Sequence, residues 1–226
     1  MTFLNPTIKN LRALVVGQMR TSRTEDLSRY LSGQVVTLTV ISFRTPLTSD
    51  PCIKIETYAD AITVEPKSQI LWQRQRRHSG PLSRIEPLLI FITYGLRILA
   101  YLRSCRNEHD MVIGIATFSA LICMIARRLG WQNYTLIYYC LDYYLQPASG
   151  VANRVIFKCY KLAERLLITN ADAIWDISPR IKNAREQFDR IPISSYQAHT
   201  VPLGYFDIRA GDPVAAKNRT LNAVGF

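Results

Sequence analysis

The chain has 226 residues, 48% hydrophobic and 20% charged, enough to enclose a core without disulfides or structural metal, which excludes a disordered polypeptide. Lys and Arg number 28 against 17 acids, a formal charge of +11, so the surface attracts polyanions: nucleic acid, anionic lipid or phosphorylated small molecules. The cysteines (Cys52, Cys105, Cys123, Cys140, Cys159) are odd in number and without CxxC spacing; this excludes a disulfide scaffold and implies a reducing, cytosolic compartment.

The opening "MTFLNPTIKNLRALVVGQ" has no charged segment followed by a long apolar one, so no secretory leader is expected. "LRALVVG" (Leu11 to Gly17) is a short β-branched run ended by glycine, the pattern of a buried parallel strand. Thr24 is placed to cap a helix near Glu25 to Leu31, and "VVTLTVISF" (Val35 to Phe43) follows as a second strand. That order opens a βαβ unit. "IKIETYADAITVEP" fits one or two strands, as a hairpin on the sheet edge, and Leu71 to Ser83 reads as a basic loop or short helix before a turn.

A long helix is expected over Leu82 to Arg106. Its stretch from Pro87 to Leu102 is apolar almost all round but is only 16 residues long and contains Arg97, against the about 20 residues that span a bilayer. A buried or partly membrane-facing helix is the better fit. Between Lys67 and Arg106 eight basic residues face one acid, Glu86. That segment fits either an anionic lipid surface or a solvated charged face.

Beyond it the alternation sharpens. Strands are expected at Met111 to Ile115, Tyr134 to Cys140 and Asp172 to Ser178, with a short one in "AHTVPLG". Helices are expected in "FSALICMIARRLG", stopped by Gly130, over Val151 to Ile168, and in "PRIKNAREQFD", with Pro179 at its first position. The fold class that follows is α/β: a Rossmann-like, mostly parallel sheet with helices on both faces. Ligands of such sheets bind outside the carboxyl ends of strands, here the loops after Gly17, Ile115, Cys140, Ile177 and Leu203. Residues 207–219 are polar and turn-rich like a linker, and 220–226, ending "LNAVGF", resemble the first strand of a further βαβ domain, leaving 1–206 as the first domain.

The stretch from Tyr138 to Phe206 carries "YYCLDYY" with Pro147 nearby, then "KCYKLAERLLITNADAIWDIS", then "VPLGYF". In this order the pieces resemble the N-terminal domain of family 4 glycosyltransferases with the two-domain GT-B architecture. The matching positions are Ala171, Asp172, Trp175 and Ser178, then Val201, Pro202 and Gly204. The resemblance implies transfer of a sugar from a nucleotide-sugar donor to an acceptor hydroxyl, with retention of configuration. It also implies that this domain holds a saccharide or lipid-linked acceptor while the following domain holds the nucleotide and a Glu-x7-Glu pair. That pair has no counterpart in these residues. The chain departs from the family in having one glycine in "Gly17-Gln18-Met19-Arg20" and Cys140-Leu141-Asp142 where many members have His before Asp.

On this reading Asp142 is the candidate catalytic residue, orienting an acceptor or sugar hydroxyl; its alternative is a turn cap or a partner for a nearby Arg. Gly17, Gln18 and Arg20 are candidates for phosphate or sugar binding, against a plain tight turn. Thr117 and Phe118 are candidate substrate contacts, against an N-cap threonine and a core phenylalanine. Tyr143, Ser178 and Gly204 complete the substrate-binding set, with Ser178 also suited to cap its helix. His78, His109 and His199 have no metal spacing and no role, and neither metal nor cofactor is expected. A cytoplasmic protein, peripheral on the inner face of the plasma membrane, is expected, inactive without a donor half. Two other classes stay open. One is a basic phosphate- or nucleic-acid-binding α/β module, without RNP, KH or zinc-finger signature and so not sequence-specific; the other is a non-catalytic remnant.

Overall fold

The computed structural model describes residues 11–18, 27–28, 30–44, 50–59, 67–73, 86–147 and 150–201. The strands are β1 (Arg12–Gln18), β2 (Thr37–Phe43), β3 (Cys52–Ala59), β4 (Lys67–Gln73), β5 (Met111–Ile115), β6 (Thr135–Cys140), β7 (Ala173–Asp176) and β8 (Ala198–Thr200). The long helices are α1 (Glu86–Ser104), α2 (Ala116–Arg128), α3 (Val151–Asn170) and α4 (Pro179–Asp189). Residues 27–28 and 30–32 are also helical, where the first βαβ helix is expected.

All eight strands form one sheet in the order β4-β3-β2-β1-β5-β6-β7-β8. β1 pairs parallel with β2 and β5, and β5 to β8 continue parallel. β3 falls in the segment where an edge strand or hairpin is expected, but its partner β4 follows that segment instead of lying within it; each is antiparallel to its predecessor. Leu71 to Gln73, expected in a basic loop or short helix, belong to β4, where Trp72 packs edge-on to Tyr94 at 5.7 Å between ring centroids. An aromatic side chain with a partner beneath it holds the segment in the sheet against the polar residues that follow.

Because successive side chains alternate across a strand, β1 divides between two cores. Leu14 and Val16 join Ile41, Ile53, Val112, Leu136 and Tyr138 under α1, α2 and α3. Ala13 and Val15 join Val40, Ile113, Ile137 and Tyr139 on the other face, where Leu27 and Leu31 of the first helical run pack. Helix α1 buries Ile90, Tyr94, Ile98 and Leu102, a four-residue spacing that lays one stripe on the sheet. Leu88, Leu89, Ile92 and Leu96 on its other side stay exposed. The all-round apolar pattern of this helix therefore resolves into one buried face and one open face.

In the sequence motif "ADAIWDIS", Asp172, Trp175 and Ser178 each have a structural purpose. Asp172 accepts from the backbone N–H of Leu136 at 2.7 Å and from Arg127, tying the starts of β6 and β7 to the end of α2. Trp175 packs edge-on to Tyr139, and Ser178 is the N-cap of α4, its hydroxyl accepting from Arg180 N–H at 3.3 Å ahead of Pro179. Replacing Ser178 by Ala removes that acceptor and is expected to cost about 1 kcal/mol, read as a lower urea midpoint at unchanged m-value.

Cys52, Cys123 and Cys140 are buried free thiols, and burial pushes the Cys123 thiol up to about 12, so it behaves as a small hydrophobe. Among the described residues, no helix is long and apolar enough to cross a membrane. Residues 202–226, which include the expected linker and final strand, and Arg20 and Gly204 among the candidate site residues, lie outside the described residues.

Candidate functional site

The parallel strands β1, β2 and β5 to β8 end on the same edge of the sheet. From β1 the chain crosses to β2 on one side, and from β5 it crosses to β6 on the other, so the order reverses between β1 and β5. At such a reversal the connections diverge and leave a crevice above the strand ends. Its floor is the end of β1, where Val16 faces Gly114 in register. Gly17, the expected last residue of the first strand, pairs with Ser42, and the strand runs one residue further, to Gln18.

The β5–α2 junction has no loop at all: Ile115 ends the strand and Ala116 begins the helix with φ +64°. A left-handed alanine costs about 1–2 kcal/mol. A Cβ on Gly114 would lie 2.4 Å from the Cα of Ala120, so only glycine lets α2 come this close to its own strand. The first N–H groups of α2 thus point toward the crevice, with no acid in the first turn and no capping side chain.

Thr117 lies in this first turn but is not the N-cap expected as its alternative role; Ile115 holds that position. Its hydroxyl is 3.0 Å from the Tyr138 hydroxyl and donates to Glu164 Oε2 at 3.3 Å. Tyr138 also donates to Glu164 Oε2, 2.5 Å away. The second oxygen of Glu164 takes Arg185 Nε at 2.9 Å, with Nη2 at 2.8 Å. Arg185 Nη1 is forked onto both oxygens of Asp176, at 2.8 and 2.9 Å. Tyr138, Glu164, Asp176 and Arg185 are essentially sealed from solvent. Burial holds the Asp176 carboxyl above its usual range against the pull of Arg185, and it holds the Tyr138 phenol well above its own, protonated and donating.

This chain of groups joins α2, β6, α3, β7 and α4 just beneath the carboxyl edge. No substrate reaches it, so its chemistry is positional: it fixes the floor on which the edge loops stand. Its outer rim is Tyr143, whose ring lies 5.7 Å from the Arg185 guanidinium and 4.0 Å from Lys161 Nζ. Tyr143 donates to Asp189, and Lys161 Nζ is 2.9 Å from the same carboxylate. Burial, then Asp189, raises the Tyr143 phenol above its ordinary range.

Asp142 stands next to that rim, exposed, directly after β6 and Leu141. Its carbonyl oxygen is held by Cys140 Sγ at 3.5 Å and Tyr160 Oη at 3.4 Å, which anchors the backbone while the carboxylate faces solvent. Phe118 is a core residue, as its alternative reading has it. It sits edge-on to Phe43 and Phe91 at 5.6 and 5.2 Å. The structure thus brings Thr117 and Tyr143 to one buried network with Asp142 beside it. Gln18 lies at the strand-order reversal, Ser178 caps a helix, and Phe118 packs.

Sequence reasoning missed Glu164, Asp176 and Arg185, although two carried a signal. Glu164 lies on the same helical stripe as Ala163, Leu167 and Ile168, and Arg185 is one turn after Ile181 on the buried face of α4. A charge at an inward helical position implies a buried partner.

The strand order, the single parallel block and the flanking helices define a Rossmann-like α/β domain. The particular likeness is to sucrose-phosphate synthase from Thermosynechococcus elongatus. A shorter chain of that enzyme superposes with a TM-score of 0.51 at 13% identity, over 92% of this chain and 99% of that one. A longer chain gives 0.52 at 13% identity, over 93% of this chain, which spans only 52% of the neighbour's length. At this identity the likeness establishes the fold. No family model and no curated protein matches the sequence.

Proposed function

We propose that this chain is the acceptor-side half of a GT-B glycosyltransferase that moves a sugar from a nucleotide-sugar donor to an acceptor hydroxyl. The observation that carries the proposal is the fold shared over nearly all of this chain with about half of a sucrose-phosphate synthase. The crevice at the β1–β5 reversal lies on the edge where α/β sheets bind ligands. In this reading the described residues, up to Val201, belong to the acceptor domain. Catalysis would come from holding the acceptor hydroxyl in line with the donor and stabilising the departing diphosphate by charge.

The carboxylate of Asp142 orients the acceptor hydroxyl, while Gly17 and Gln18 line the β1 side of the crevice. Thr117 and Tyr143, engaged in the buried network and its rim, act by shaping that crevice. The acceptor is a saccharide, free, phosphorylated or lipid-linked; the net charge of +11 favours one that carries phosphate. The 226-residue chain is expected to transfer no sugar by itself yet to bind a sugar-phosphate acceptor. Asp142→Asn is expected to weaken that binding about tenfold, roughly 1.4 kcal/mol, in a calorimetric titration. Sugar transfer by the chain alone, or an affinity untouched by Asp142→Asn, contradicts the proposal. The same basic charge motivates the second reading, a phosphate- or nucleic-acid-binding module. That reading predicts tight binding of duplex or single-stranded nucleic acid that falls steeply with salt in a filter assay.

A further inference from the structure

We propose that the outer surface of the helical layer, centred on α1, docks on an anionic lipid bilayer. Leu88 and Leu96 are 62% and 63% exposed, and with Leu89 and Ile92 they make an apolar stripe of three successive turns on the side of α1 turned away from the sheet. Ala100, exposed, and Leu99, half-buried, prolong it by another turn toward Arg103. A soluble surface tolerates single exposed leucines, but a row of them on one helix marks an interaction face.

The charges around the stripe identify the occupant. The exposed charged groups of α1 are Arg97 and Arg103, and Arg106 follows the helix. Arg128 closes α2, and α3 exposes Arg154, Lys158 and Arg165 beside a second apolar group, Val155, Ile156 and Leu162. The acids carried by these three helices are Glu86 and Glu164, and both are buried. On the same side of the sheet, Lys67 of β4 stands exposed opposite Thr57 in register. Beyond the helices, the exposed Glu108 lies past Arg106, and Asp110 is paired with Arg12.

The layer therefore shows apolar rows among cations, with no exposed acid on α1, α2 or α3; α4, at the far end of the same face, carries the exposed Glu186 together with Arg180 and Arg190. A second copy seated on it would bring guanidinium against guanidinium, which disfavours self-association. Anionic headgroups neutralise the cations while the leucines enter the acyl boundary, the arrangement of a helix lying in the interfacial plane. At 19 residues α1 is about 28 Å long, and it is laid along the surface rather than through it. The inference does not depend on which sugar or acceptor the crevice takes, and its test uses neither.

The test is co-sedimentation of the 226-residue chain with large vesicles of phosphatidylcholine alone, and of phosphatidylcholine and phosphatidylglycerol in equal parts. Binding to the anionic vesicles is expected to be at least about tenfold tighter, and to weaken with salt as screening shortens. Ile92→Glu with Leu96→Glu is expected to lower it about tenfold or more at unchanged circular dichroism, since both side chains face solvent. Arg97→Glu with Arg103→Glu is expected to abolish the preference for anionic lipid. The milder Leu96→Trp, which keeps an apolar side chain, should show a blue-shifted emission quenched by brominated lipid. Three results overturn the inference: equal partition into both vesicles; anionic binding that survives both double variants; or a concentration-dependent dimer that Ile92→Glu with Leu96→Glu dissolves.

Discussion

Replacing Arg185 by methionine is expected to cost about 3–5 kcal/mol of folding stability, the loss typical when one partner of a buried ion pair is removed. The guanidinium is fully enclosed and answers two carboxylates at once, Glu164 from α3 and Asp176 from β7. Methionine fills much of the volume but leaves both carboxylates without a counter-charge. A domain of ordinary stability has about 5–15 kcal/mol in total, so the variant should be largely unfolded at modest urea. The loss should depend on pH and shrink in acid. Burial already raises the Asp176 carboxyl, and Arg185 is the group that pulls it back. Without Arg185 the folded-state value rises further above the unfolded one. A group raised in this way contributes stability in acid, below its unfolded value, and the contribution is lost as pH rises through the folded value. The variant should therefore recover part of its deficit relative to wild type as pH falls toward the carboxylate range. Arg185→Lys should be intermediate, because an ammonium keeps the charge but cannot fork onto two carboxylates. A pH-independent deficit under 1 kcal/mol for Arg185→Met, in the about 0–1 kcal/mol range of an exposed salt bridge, would show that the network is not what joins these elements.

The second large effect is expected at Gly114. A Cβ there meets Ala120 Cα at 2.4 Å, N at 2.7 Å and Cβ at 2.8 Å, all on the rigid first turns of α2. The helix must move off the strand, opening the packing of Ala120 and Cys123 against the sheet. Gly114→Ala is expected to lose about 1–3 kcal/mol, and Gly114→Val more. Gly95 is the control. It sits in the middle of α1, where a Cβ would rest at an ordinary 3.8 Å from Ile122 Cδ1. Gly95→Ala should therefore stabilise the chain by about 0.5–1 kcal/mol through helix propensity alone. Thermal unfolding of the two variants side by side separates close approach from mere flexibility. Equal shifts in the same direction contradict the account.

The residues whose burial follows a period were legible. Ala13 to Val16, Val112 to Ile115 and Leu136 to Cys140 are continuous apolar runs because both faces of those strands are covered, and their alternation with helices gave the parallel sheet. Ser178 followed by Pro179 announced a helix start that the structure realises. Gly17 was legible as the end of that first apolar run, and the strand extends past it by one residue, Gln18, which pairs with Phe43. The end of β4 was hidden because Trp72 is anchored by Tyr94, twenty-two positions on, a contact no local pattern contains. At the site, Asp142 and Thr117 were visible from their place just after strands. The Glu164–Arg185–Asp176 network was not, because its members come from three elements and only the topology brings them together.

The most direct test of the account is a map of backbone amide shifts of the isotopically labelled chain titrated with sugar-phosphate acceptors. Ligand at the strand-order reversal should move Gly17, Gln18, Thr117, Asp142 and Tyr143 together and leave Arg12, Asp110 and Asp172, at the opposite edge of the sheet, in place. Shifts confined to that opposite edge, or to the outer faces of α1 and α3, would contradict it.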